Sequence, residues 1–312
     1  MHIIKKLPSP EKLKLELSPN KMAIAAKSQR DAEIADILQG RSDKLLLIVG
    51  PCSAHDPAAV LEYAKLLAGV ARDVKDKILI IPRVYTSKPR TASMGFMGLI
   101  HEKNGLYAAR KLHLDILEQT HLSCADELLY SALLPYFDDL VSYFAIGARS
   151  VQNQEHRLVA SGLSMPVGMK NPTSGALDDM TAAINSANAP HEFIFRDNLV
   201  KTGGNPLAHA VLRGFSAPDG GCIQNYNQAP LLQHPVIIDI SHCNSAKNPK
   251  NQCVVALDAL ELRKKSPNIK GLMMESFIKG GMGNAFGMSI TDPCLSWPET
   301  RALINEILNK LD

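Results

Sequence analysis

The chain has 312 residues, of which 46% are hydrophobic and 21% charged, with a formal net charge of +3. These proportions exclude a disordered or fibrous chain, and the small net charge excludes a generally basic nucleic-acid or membrane binder. Any cluster of cations is therefore a local site for an anionic ligand.

The first 44 residues contain the helical stretch "NKMAIAAKSQRDAEIADILQG" and form an N-terminal extension that either caps a following domain or mediates assembly. The N-terminus is too charged for a secretory leader, and no apolar run reaches membrane-spanning length. The six cysteines are scattered without a CxxC pair, which points to reduced thiols and a cytoplasmic location.

From residue 45 onward, short apolar runs alternate with helical patterns, the signature of βα units around a parallel sheet. Strands are predicted at 45–50, 77–84, 122–127, 140–148, 165–170, 208–214, 235–241 and 270–276. Between them, "DPAAVLEYAKLLAGVARDV", "NGLYAARKLHLDILEQT", "NQEHRLVASGL" and "NQCVVALDALELRKK" carry apolar residues at helical spacing. Eight such strands predict a (β/α)8 TIM barrel over 45–312, preceded by the helical extension over 1–44.

In a barrel of this kind the chemistry sits at the C-terminal ends of the strands. There the sequence places Cys52, Arg83, Lys88, Glu127, Arg149, Lys170, Arg213, His242 and Glu275, with Asp292 shortly afterwards in "SITDPC". Any one of them has a bland reading as a solvated cation or a packed thiol, but so narrow a palette at every strand end does not.

The set divides by chemistry. Arg83, Lys88, Arg149, Lys170 and Arg213, with Arg90 nearby, exceed what one carboxylate needs and suit phosphorylated substrates. Cys52, His242, Glu275 and Asp292 offer sulfur, nitrogen and oxygen, a donor set for a divalent transition metal such as Mn, Fe, Co or Zn. In "GPCSAHD", Asp56 before Pro57 reads as a helix cap, and His55 as either a ligand or a hydrogen-bond partner of one. His156 either orients a substrate group or Lys170, or is structural. Cys243 is expected to face away from His242 if the strand continues that far.

"GPCSAHD", "KPRT", "GAR" followed by "QEHR", "SGLSMPVGMKNPTSG", "LRG", "IDISHCNSAK", "MMES" and "SITDPC" occur in one order along nearly the whole chain. Together they resemble the metal-dependent class I 3-deoxy-D-arabino-heptulosonate 7-phosphate (DAHP) synthases. The resemblance implies condensation of phosphoenolpyruvate with erythrose 4-phosphate at the entry to the shikimate pathway, or the same chemistry on another aldose phosphate. It implies Cys52, His242, Glu275 and Asp292 as ligands of a divalent metal, manganese foremost, with Asp292 also near substrate. Arg83, Lys88, Glu127, Ala148, Arg149, Lys170 and Arg213 would line the phosphoenolpyruvate site, and Arg90 and Thr91 would take the sugar phosphate. Cys52, Lys88, Glu127 and His242 would take part in catalysis, Lys88 as a proton donor, with Glu127 or a metal-bound water activating the attacking water. A homodimer or homotetramer is expected.

The chain is shorter than that family's usual members between Ile100 and Asn104, after Arg213, and between "MMES" and "SITD", and has Phe96 where tryptophan is usual. Tyr130 stands where an acidic residue commonly helps bind a feedback amino acid, so weak or absent inhibition by aromatic amino acids is expected.

Overall fold

The computed structural model describes residues 2–90 and 95–311. Thr91 lies outside the described residues. Two helices open the chain, α1 (Pro10–Glu16), capped by Ser9, and α2 (Lys21–Leu38), capped by Asn20. Then follow β1 (Leu45–Gly50), α3 (Pro57–Val74), β2 (Ile78–Pro82), α4 (Gly105–Thr120), β3 (Cys124–Glu127), β4 (Val141–Ile146), α5 (Gln154–Ala160), β5 (Val167–Lys170) and α6 (Leu177–Asn188). A hairpin of β6 (Glu192–Phe195) and β7 (Asn198–Lys201) leads to β8 (Ala208–Leu212), a second small hairpin, β9 (Phe215–Ser216) and β10 (Cys222–Ile223), and β11 (Val236–Asp239). The chain ends with α7 (Asn251–Arg263), β12 (Ile269–Glu275) and α8 (Trp297–Leu311).

Eight strands, β1, β2, β3, β4, β5, β8, β11 and β12, form one parallel sheet in the order β2-β1-β12-β11-β8-β5-β4-β3. A parallel bridge between Arg83 and Ala125 brings its two edges together, closing the barrel. These strands are the predicted ones, β1 with the predicted bounds, β12 one residue earlier and the other six shorter, and apart from Lys270 every strand residue is buried. Burial on both faces is why they read in sequence as continuous apolar runs and not as alternating ones.

The barrel interior is filled by Leu46, Ile48, Leu79, Ile81, Tyr143, Val211, Ile237 and Met273, and α2 adds Ile34, Ile37 and Leu38 to the same cluster. The extension thus inserts its apolar face into the N-terminal end of the barrel, which leaves the opposite mouth for the βα loops. Two connections depart from the simple repeat. A 3-10 helix over Ser131–Tyr136, containing Pro135, joins β3 to β4, and another over Tyr226–Leu231, containing Pro230, precedes β11. Proline inside each removes a backbone donor, so a full α-helix does not form. Among the described residues, no helix is long and apolar enough to cross a membrane.

Candidate functional site

Glu127, Lys170 and Glu275 are the last residues of their strands, whereas Cys52, Arg83, Arg149, Arg213 and His242 sit one to three residues beyond theirs. The strand before His242 stops at Asp239, and His242 opens a 3-10 turn with φ 51°. The alternation that would have turned Cys243 to the opposite face therefore does not apply there.

A cavity of about 220 Å³ opens at this mouth. Its walls carry seven cations, Arg83, Lys88, Arg90, Arg149, Lys170, Arg213 and Lys247, against two carboxylates, Glu127 and Asp292. Ala148, His242 and Cys243 are among the other residues that line it. A small, strongly cationic volume favours a compact polyanion. A larger apolar cleft, of about 1070 Å³, lies between the N-terminal segment and residues 100–107, away from these charges.

Buried polar groups fix each wall. Asp126 accepts hydrogen bonds from the backbone N–H of Thr86 (2.9 Å) and of Glu127 (2.7 Å), and from the Thr86 hydroxyl (2.6 Å). His113 Nε2 lies 3.0 Å from Oδ2, the oxygen that also takes the Thr86 hydroxyl. One carboxylate thus ties the segment leading to Lys88 to the strand end that carries Glu127. Gly147 is required beside it, since a Cβ there would fall 2.3 Å from Glu127 Oε1. Burial raises the Glu127 pKa, against the pull of Lys170 and Lys88.

Arg83 is buried, stacks 3.9 Å over the Tyr85 ring and donates to the Pro51 carbonyl. Its Nη2 lies 3.0 Å from Glu275 Oε1, but too obliquely for a hydrogen bond. Glu275 is held through its backbone by Gln252, which accepts from its N–H (2.9 Å) and donates to its carbonyl (3.0 Å). Arg213 takes its position from Asn171, whose side chain accepts from the Arg213 N–H at 2.9 Å. Among the described residues, Glu275 Oε1 and Arg213 Nη1 are buried with no hydrogen-bond partner. They are two of ten such side-chain atoms among the described residues, and Arg83 Nε is a third that belongs to this mouth.

Lys88 Nζ is 2.7 Å from Cys52 Sγ and 3.4 Å from Asp292 Oδ2, and the Cys52 thiol donates to the same oxygen at 2.9 Å. Burial, then Glu275, pushes the Cys52 thiol up to about 12. Burial opposes the Lys88 charge, but Cys52, Glu275 and Asp292 outweigh it and raise its pKa. Burial likewise opposes ionisation of Asp292, and Lys88 chiefly overcomes it, bringing that carboxyl to about 2.

Asp239 organises the other side and carried no expectation from sequence. Fully buried, it accepts from Lys170 Nζ (3.1 Å), from the Ser241 hydroxyl (2.6 Å) and from the Ser241 N–H (3.1 Å). Its Oδ2 also lies 3.0 Å from His242 Nδ1. Burial would raise its pKa, but His242 and Lys170 hold the carboxyl well below the usual carboxylate range. A carboxylate on Nδ1 fixes the imidazole tautomer and leaves the Nε2 lone pair, 3.7 Å from Glu275 Oε1, as a donor. The available signal was a lone acid inside the apolar run "VIIDIS", three residues before a histidine.

The four expected metal ligands thus form two pairs across one mouth, Cys52 with Asp292 and His242 with Glu275. Among the described residues, no three His, Cys, Asp or Glu side chains converge into a preformed metal cage. The groups nevertheless fit a divalent ion: a tautomer-fixed imidazole, a buried carboxylate oxygen that makes no hydrogen bond though it faces Arg83, a second carboxylate and a thiol that a metal would deprotonate.

His156 does not reach Lys170. Its Nε2 lies 3.0 Å from the Leu129 carbonyl, while Lys170 is engaged with Asp239. His55 packs edge-on between Phe96 and Phe277, with Nδ1 3.3 Å from the Ser53 carbonyl, and Asp56 caps α3.

The family model of the DAHP synthetase I family matches residues 20–302. The chain is 38% identical to the Tyr-sensitive phospho-2-dehydro-3-deoxyheptonate aldolase of Escherichia coli K12, covering 98% of this chain and 93% of that one. It is 40% identical to the Phe-sensitive enzyme of the same organism, over 88% of this chain and 86% of that one. The solved structure of the phospho-2-dehydro-3-deoxyheptonate aldolase from Francisella tularensis SCHU S4 superposes with a TM-score of 0.91 at 33% identity, covering 99% of this chain and 98% of that one. The chain belongs to the DAHP synthetase I family.

Proposed function

We propose that the protein condenses phosphoenolpyruvate with erythrose 4-phosphate and water, giving 3-deoxy-D-arabino-heptulosonate 7-phosphate and inorganic phosphate, as a metal-dependent cytoplasmic enzyme. The observation that carries this reading is the cavity of about 220 Å³ with seven cations facing two carboxylates, set against the Cys52, His242, Glu275 and Asp292 pairs.

Arg83, Arg149, Lys170 and Arg213 would grip the phosphate and carboxylate of phosphoenolpyruvate, and the unpartnered Arg213 Nη1 is one donor that such an anion satisfies. Arg90, whose Nε donates to the Phe96 carbonyl at 3.0 Å, is left with its terminal nitrogens for the acceptor's phosphate. Thr91, the other residue assigned there, lies outside the described residues. Cys52, His242, Glu275 and Asp292 would hold a divalent cation, Mn2+ foremost, which supplies Lewis-acid polarisation of the acceptor aldehyde when bound.

C3 of phosphoenolpyruvate attacks the aldehyde carbon, and Lys88, charged and held at the Cys52–Asp292 edge, delivers a proton to the developing alkoxide. Water then adds to C2, with Glu127 placed to accept its proton, and the resulting hemiketal phosphate loses inorganic phosphate by C–O cleavage. The cations position both substrates and balance the charge of the leaving phosphate.

Phosphoenolpyruvate labelled with 18O in its C–O–P bridge tests the route. This mechanism delivers the label into inorganic phosphate, whereas label retained in the sugar acid would show P–O cleavage and sink it. A homodimer or homotetramer is proposed as the working form. Support comes from exposed apolar side chains, Ile194 and Leu199 on the β6–β7 hairpin and Ile3, Ile4 and Leu7 near the N-terminus, which a second copy would cover. Light scattering on the eluting protein decides the oligomeric state.

A further inference from the structure

Two cysteines that the chemistry above does not use face one another beside the mouth. Cys222 lies on β10, in the loop that follows Arg213, and Cys243 follows His242 in the next loop. Their sulfurs are 2.7 Å apart. Both are free, Cys243 being buried and Cys222 only partly so, which makes Cys222 the more accessible residue of the pair.

The two loops are already fastened in this register. Asn225 N–H donates to the Asn244 side chain (2.9 Å), Gln224 to the Asn244 carbonyl (2.6 Å), and Gly214 N–H to the Asn225 side chain (2.7 Å). Gly214, at φ 68°, lies so close that a Cβ there would come within 2.7 Å of Cys243 Cβ. The Cys243 N–H in turn donates to the Arg213 carbonyl at 3.2 Å. Neither loop has to move far for the sulfurs to bond, since their side chains already point at each other.

We propose that Cys222 and Cys243 form a reversible disulfide on exposure to a low-molecular-weight disulfide such as oxidised glutathione, tying the Arg213 loop to the His242 turn. The Cys222 thiolate attacks one glutathione sulfur, whose S–S bond breaks and releases one glutathione thiolate. The Cys243 thiolate then attacks the Cys222 sulfur of the mixed disulfide and expels the second glutathione. Two protein thiols are oxidised by two electrons, one small disulfide is reduced, and the two cysteine protons end on the two glutathione thiols.

Peptide mapping of the full chain under non-reducing conditions, after incubation with oxidised glutathione, tests the bridge. The expected result is a linked Cys222–Cys243 peptide in the wild type that dithiothreitol removes. C222S should give no linked peptide, and C243A should stop at a glutathione adduct on Cys222. A stable glutathione adduct on Cys222 in the wild type, or a bridge between any other pair in place of this one, overturns the proposal.

The functional arm rests on the proposed reaction, whereas the mapping does not. On oxidation the KM for phosphoenolpyruvate should rise at least threefold and return on reduction, with C222S showing wild-type basal activity and no change. An equal rise in C222S would overturn the locking of the Arg213 loop. A protein silent with every acceptor would refute the proposed reaction and leave the mapping to decide the bridge.

Discussion

Replacing Asp239 by Asn tests whether the buried carboxylate holds the site in its working form. Asn keeps an oxygen for the Ser241 N–H and hydroxyl, but turns an amide NH2 toward Lys170 Nζ and His242 Nδ1, which are themselves donors at 3.1 and 3.0 Å. Two charge-assisted contacts, each worth about 1.5–3 kcal/mol, are lost, and breaking a buried charge pair costs about 3–5 kcal/mol in all. Part of that cost falls on stability. The part that reaches turnover comes from the His242 tautomer and the Lys170 ammonium, and partners of this kind contribute about 10–100-fold to activity or metal affinity.

A fall in kcat/KM for phosphoenolpyruvate of about 100-fold, or ~2.7 kcal/mol, is therefore expected, together with a lower melting temperature. Because the folded carboxyl is held below its unfolded value, its stabilisation is present above about pH 3.9 and is lost as pH falls toward the folded pKa. D239N should lack that part of the wild type's acid destabilisation. Steady-state kinetics and thermal melting across pH check both effects. A folded D239N within threefold of wild-type kcat/KM would show that Asp239 does not hold His242 and Lys170 in their working form.

Glu127 gives a pH signature. Burial raises its pKa, so the acid limb of kcat/KM should fall above the ordinary glutamate value of about 4.3, and E127Q should lose that limb along with about 100-fold or more in kcat. A limb at or below 4.3 would remove Glu127 from the water step. Arg213→Ala deletes the buried donor without a partner, and the KM for phosphoenolpyruvate should rise about tenfold or more, as loss of one charge-assisted contact implies; an unchanged KM would place that anion elsewhere. Phenylalanine, tyrosine and tryptophan should inhibit weakly or not at all, since Tyr130, 3.2 Å from His101 Nε2, supplies no carboxylate for an inhibitor's amino group. A clear inhibition curve with any of the three would contradict this.

The strands were legible because a parallel barrel buries both faces of each one, so that "LLLIVG" or "IKGLMME" stands out without any alternation. Strand-end residues such as Glu127, Lys170 and Glu275 followed directly, since the C-terminal mouth of a barrel is where polar side chains converge. What stayed hidden depends on contacts between distant loops. Asp239 reads as an interruption of a strand until Lys170 and His242 are seen closing on it. The Asp126–His113 pair joins a strand to the helix packed outside it. The Cys222–Cys243 contact arises only because two βα loops fold over one another. The β6–β7 hairpin carried a local signal, alternating Phe193 and Phe195 before the turn at Arg196 and Asp197, but lies in the connection from α6 to β8, where the repeat predicts no strand.

The most direct test of the central claim is phosphate release from phosphoenolpyruvate with Mn2+, comparing erythrose 4-phosphate, ribose 5-phosphate, arabinose 5-phosphate and no acceptor, each with and without EDTA. The expected result is turnover with erythrose 4-phosphate that EDTA abolishes and excess Mn2+ restores. Preference for another aldose phosphate would contradict the acceptor assignment, turnover indifferent to EDTA would contradict the role given to Cys52, His242, Glu275 and Asp292, and silence with every acceptor would contradict the reaction itself.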